Sequence, residues 1–168
     1  MFLDCALTYR GTPTQSISGL EHLNEKEVGV LADGAVQASR TVRGGQIELD
    51  YEASVVTVGL PYTADLETMP VEVVAQDGSS VSLKKQINAV NIVFRDSIGV
   101  KGGLSFDDLE EIALRENEPL GSPPAPFSGM KPYNPSNMAE NILTVCLRSD
   151  TPTPVTVLGI VSRIKVTA

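Results

Sequence analysis

Two glycine turns limit what this chain can fold into. Asp33-Gly34 and Gly44-Gly45 each offer consecutive backbone positions suited to positive φ, the geometry of a tight hairpin turn. Each turn stands between short runs built for a pleated surface. Val28-Gly29-Val30-Leu31-Ala32 precedes the first, Ala35-Val36 resumes after it, and Thr41-Val42-Arg43 leads into the second. Gln46-Ile47-Glu48-Leu49-Asp50 then alternates polar and apolar, as a strand with one wet face must. Val55, Val56 and Val58 follow, β-branched and at ease in a sheet. No helical stripe survives such punctuation. Residues 12–59 therefore read as a small β-barrel lobe within a mainly antiparallel all-β chain.

The remainder reads as more strands around irregular connections, with a β-sandwich or barrel core and at most one short helix. Residues 2–9 alternate like a strand from the outset. Residues 70–74 form a strand whose turn is Asp77-Gly78-Ser79-Ser80. Residues 84–95 fit two patterns: Ile87, Val90, Asn91 and Phe94 make a helical stripe, whereas Val90, Ile92 and Phe94 alternate. β-branched enrichment and the glycines at 99–103 favour the strand. Residues 107–115 are the helix candidate, with Asp107 placed to cap, Glu110 at the third position, and acids at the positive end of the dipole. Residues 119–135 hold six prolines and must be loop or extended chain. Strands at 142–147 and 155–161 close the chain around a proline-punctuated turn at 148–154.

Composition narrows the function classes. The 168 residues carry 13 Lys and Arg against 21 Asp and Glu, a net charge of −8. A sequence-independent nucleic-acid binder needs the opposite sign, so no specific nucleic-acid site is expected. No apolar run approaches the roughly 20 residues of a membrane-spanning helix, and no membrane insertion is expected. His22 is the sole histidine, and with Cys5 and Cys146 it has no ligand-like spacing. The two thiols read as small buried hydrophobes more readily than as a disulfide. No serine lies in a nucleophile elbow, and Gly99, Gly102 and Gly103 lack the lysine of a phosphate loop. The expectation is a non-enzymatic chain with no catalytic residues, no metal ligands and no cofactor.

Three aromatic residues stand out as candidate interface or glycan contacts. Tyr62 closes Gly59-Leu60-Pro61-Tyr62 and either packs on the lobe below or stands free. Phe127 and Tyr133, with Met130, lie in the proline-rich segment. That segment either covers its own domain or plugs into a neighbouring subunit.

Several segments together resemble a domain of the tail nozzle (tail tubular) proteins of short-tailed bacteriophages. They are Leu7-Thr8-Tyr9 with a Gly11-Thr12-Pro13 turn, Ile17-Ser18-Gly19-Leu20-Glu21-His22-Leu23, Val30-Leu31-Ala32-Asp33-Gly34-Ala35-Val36 and Val58-Gly59-Leu60-Pro61-Tyr62. Lys84-Lys85-Gln86-Ile87-Asn88, Gly99-Val100-Lys101 and Pro154-Val155-Thr156-Val157-Leu158-Gly159-Ile160 extend the likeness over most of the chain. The resemblance implies a virion structural role in a tail tube through which DNA passes. It implies assembly with other copies of the parent chain into a ring, sixfold in such proteins, and with neighbouring tail proteins. The chain would be made in the bacterial host cytoplasm or encoded by a prophage. It also implies that residues 1–168 are one β-rich domain toward the C-terminus of a longer polypeptide, in keeping with an opening strand that lacks a beginning. The alternative is a carbohydrate-binding module of a phage adhesion protein, with Tyr62 and Tyr133 as stacking platforms.

Overall fold

The computed structural model describes residues 3–70, 72, 74–75, 78–79, 84–114, 123–135 and 142–167. They form an antiparallel all-β protein. Its one helical element among the described residues is a 3-10 turn at Glu21–Leu23. The chain divides into two compact units.

The first unit comprises Met1–Thr63, Arg115–Ala125 and Asp150–Pro154. Its sheet uses β1 (Leu3–Ser18), β2 (Glu27–Ala32), β3 (Ala35–Thr41) and β4 (Gln46–Pro61), in the order β1-β4-β2-β3. Both glycine turns form as expected. Asp33 and Gly34 have φ of 46° and 85°, and Gly44 and Gly45 have 58° and 72°. Asp33 earns its strained backbone, because its carboxylate accepts hydrogen bonds from the N–H groups of Ser54 and Val55. Ile17, Leu20, Leu23, Val28, Val30, Val42, Ile47, Val56 and Val58 are all buried in one apolar cluster.

The long strands are bent by bulges. The Gly11-Thr12-Pro13 segment, expected as a turn, is an irregularity inside β1, where pairing skips from Arg10–Val55 to Thr14–Ala53. A bulge leaves residues outside the ladder, so Pro13 there forfeits no strand bond. The Tyr9 hydroxyl donates to Thr12 O at 2.9 Å and ties the loop down over Gly11. After the Arg43–Gln46 bridge, β3 and β4 splay apart. The Gln37 carboxamide reaches across and accepts from Asp50 N–H at 3.1 Å. A cleft of about 490 Å³ lies at this divergence, lined in part by Arg40, Arg43, Glu48 and Asp50. No strand pairing closes a barrel among the described residues.

The second unit comprises Ala64–Leu114, Pro126–Ser149 and Val155–Ala168. One sheet uses β5 (Ala64–Glu67), β9 (Lys101–Ser105), β10 (Asp108–Glu111) and β12 (Cys146–Ser149), in the order β10-β9-β12-β5. The other uses β8 (Lys84–Ser97), β11 (Phe127–Tyr133) and β13 (Val157–Thr167), in the order β11-β8-β13. They share one core as a sandwich. Ile87, Val90, Ile92 and Phe94 of β8 pack with Val100, Ile112, Leu114, Leu143, Val145 and Leu147. A two-stranded ribbon, β6 (Val74–Ala75) with β7 (Gly78–Ser79), occupies part of the expected strand and turn at 70–80. The rest of that pair falls partly outside the described residues, and Pro70 and Glu72 are not in a strand.

Three expectations need correction. Residues 84–95 are the strand they favoured, but 107–115 are not helical. Asp108–Glu111 is β10, and Arg115 lies outside the described residues. Ile112 and Leu114 are both buried, two positions apart, and Ile112 N–H donates to Val100 O at 2.9 Å. Burial at a period of two outweighs a cap and a dipole worth about 1 kcal/mol each. The strand expected at 142–147 begins only at Cys146, and Arg148 and Ser149 extend it into the expected turn. Upstream, Val145 is instead bonded through N–H and C=O to Thr68. The proline-rich segment is extended as expected where it forms β11, an edge strand in which Pro132 can lack an N–H at no cost to the ladder. Lastly, Cys146 is buried as expected but Cys5 is exposed, and both are free. A bulge between Asp4 and Leu7 gives Cys5 a φ of 48°.

Gly103 shows how tightly β9 and β10 approach. A Cβ there would run into the backbone oxygens of Asp108 and Ser105, whereas a Cβ on Gly159 would meet nothing within 4 Å. Gly103→Ala is expected to destabilise the chain by about 2–4 kcal/mol and Gly159→Ala to stay within about 0.5 kcal/mol. Urea unfolding followed by circular dichroism checks both; equal midpoints for the two variants would contradict the packing described.

Candidate interaction surface

A sheet of finite width ends in edge strands, whose outward N–H and C=O groups lack a ladder partner. In the second unit the edges are β10 and β5 in one sheet and β11 and β13 in the other. β5 carries Asp65, which Arg148 neutralises, and Glu67, and β11 carries Lys131 alone; the strongest opposite charges are on the other two. β10 and its turn carry Asp107, Asp108, Glu110 and Glu111 with no base, all exposed. β13 carries Arg163 and Lys165 with no acid, both exposed, and Lys84 lies opposite Thr167 at its end. From sequence alone the acids of β10 fit a helix dipole, and the last strand expected, 155–161, stops short of Arg163 and Lys165.

The expected contact residues separate into two kinds. Tyr62 follows β4 and is 44% exposed. It belongs to the first unit, whereas Phe127 and Tyr133 belong to the second. Phe127 is half-buried against the sandwich core, with Lys131 Nζ 5.7 Å from its ring centre. Tyr133 packs on the same core and donates its hydroxyl to Gly102 O at 2.8 Å. Burial, with the nearby carboxylates of Glu110 and Asp108, holds that phenol above its ordinary pKa. The part of the segment that carries these rings therefore lies over its own unit. Met130, between them, is 58% exposed.

The remaining polar clusters serve the fold. His22 Nε2 lies 3.0 Å from the Cys5 carbonyl oxygen, a contact in which the ring must donate. Burial raises the Cys146 thiol pKa, more than the hydroxyl of Thr144 lowers it. No group of three His, Cys, Asp or Glu among the described residues could hold a metal ion. Among the described residues no helix is long and apolar enough to cross a membrane.

Arg148 forms a two-pronged ion pair within the second unit. Its Nε and Nη2 donate to the two carboxylate oxygens of Asp65 at 2.7 and 2.8 Å, joining β12 to β5. Its guanidinium also lies 5.0 Å from the Phe106 ring centre. The Arg148 hydrogen bonds hold the Asp65 carboxyl below its ordinary pKa, more than desolvation raises it, and the Arg148 charge acts in the same direction. A carboxylate depressed in the folded state stabilises fully above its unfolded pKa, and that contribution is lost as pH falls through the folded value. Thermal melts should therefore show native stability falling below about pH 3.9. In Asp65→Asn that component of the acid dependence should vanish, and identical acid limbs for the two proteins would contradict it.

No family model matches the chain. Nor does any curated protein.

Proposed function

We propose that the chain is a structural module of a tailed-phage virion, of the short-tailed nozzle type, that works by assembly with copies of itself and with neighbouring tail proteins. The observation that carries this reading is the sandwich unit with open edges of opposite charge, a surface suited to joining like modules in series. The resemblance supports it independently. Its Leu-Ala-Asp-Gly segment is the β2–β3 hairpin, and its Val-Gly-Leu-Pro segment is the end of β4. There Gly59 pairs with Gly29 and stands so close to β1 that a Cβ would lie 2.8 Å from Asp4 O. These segments are thus the ones on which the first sheet turns, and their residue types follow from backbone approach and positive φ.

In such a role the net charge of −8 has a use. A tube wall of the same sign as DNA does not hold DNA in transit. For the carbohydrate-binding alternative Tyr133 is the less open of the two platforms, because its hydroxyl and part of its ring are engaged by its own unit.

Mass spectrometry of purified tailed particles produced by the encoding genome, with immunogold labelling of this chain, tests the reading. The expected result is the chain in the particle, with label confined to the tail. Its absence from intact particles, or label on the capsid alone, would sink the proposal.

A further inference from the structure

We infer that β10 of one copy docks against β13 of the next, joining copies head to tail through edge-to-edge strand pairing. The inference rests on the assembly reading above and names its contact surface and its occupant, a second copy of this chain.

The two edges lie at opposite sides of the sandwich. Tyr133 of β11 bonds Gly102 of β9 and feels the charges of Glu110 and Asp108, so β11 lies over the β9–β10 side. β13 pairs on the other flank of β8 from β11. It therefore lies over the β12–β5 side, away from β10. One copy cannot satisfy both edges by itself, but a series of copies can. Among the described residues, β10 pairs only with β9 and β13 only with β8.

Charge then decides which edges meet. Pairing β10 with β10 would bring together two rows of carboxylates, and β13 with β13 two rows of bases; like charges directly opposite destabilise a strand pair. Pairing β10 with β13 sets the acids on one face of β10 against Arg163 and Lys165, which stand two positions apart and so share a face of β13. The charges that deter self-pairing of each edge thus select the heterologous contact, the kind that generates rings or filaments. β10 is only four residues long, so one such contact is weak, and closure of a ring supplies the rest by raising effective concentration.

Two measurements test this. Sedimentation velocity of the 168-residue chain up to about 1 mM should show self-association that weakens at least about fivefold when salt rises from about 50 mM to about 500 mM. Glu110→Lys with Glu111→Lys should abolish it, as should Arg163→Glu with Lys165→Glu. An equimolar mixture of the two variants should restore it, since each then offers the edge the other lacks. Zero-length carbodiimide cross-linking of an isotopically mixed wild-type sample needs no variant. It should join Lys165 of one copy to Glu110 or Glu111 of another. A monomer at all concentrations, association indifferent to salt and to both variants, or cross-links that avoid these strands would overturn the inference. Cross-linked β10 and β13 in a chain absent from virions would overturn the functional reading and leave the edge contact standing.

Discussion

Strand β8 is the element on which the second unit depends. It pairs with β11 on one side and β13 on the other, and its inward side chains supply the centre of the sandwich core. Phe94 and Ile92 are almost wholly buried. Each such side chain contributes about 2–3 kcal/mol by leaving water. Ser97, at the strand's end, accepts from Thr156 N–H at 2.9 Å and so fixes where β13 begins. The chain places this central strand well before β11 and β13 in sequence. Both flanking strands are thus drawn in from a distance, and the intervening segments are free to form the opposing sheet.

The legible and illegible parts of the fold separate along one physical line. Features decided within a few residues were readable: the Asp33-Gly34 and Gly44-Gly45 turns follow from positive φ, and β8 from its β-branched alternation. Features decided by a distant partner were not. The acids at 107–111 satisfy every local rule for a helix start. Nothing nearby announces that Gly102 and Gly103 leave a groove into which that segment fits as a strand. The start of β12 was likewise misplaced because Thr68, far off in sequence, takes the bonds of Val145. Of the contact residues, Tyr62 was open between packing on its own lobe and standing exposed, and it is 44% exposed. The placement of Phe127 and Tyr133 was open until the core beneath them was known.

The edge charges illustrate a further blind spot. Acidic and basic residues are abundant, so their mere presence in a sequence says little. They acquire meaning when the topology puts one set on one rim of a sandwich and the other set on the far rim. Arg148 shows the contrasting case, a charge paired within its own unit with Asp65 and set over the Phe106 ring.

The loop of β1 around Gly11, Thr12 and Pro13 has a consequence for how the chain tolerates change. Because side chains alternate across a strand, adding one residue inside a regular ladder turns every later side chain to the wrong face. Here the surplus residues already stand outside the ladder, tied by the Tyr9 hydroxyl on Thr12. Length added at that point enlarges the loop and leaves Ile17 facing the core. The first sheet thus carries its own slack, at the place where an inserted peptide disturbs the frame of the strand least.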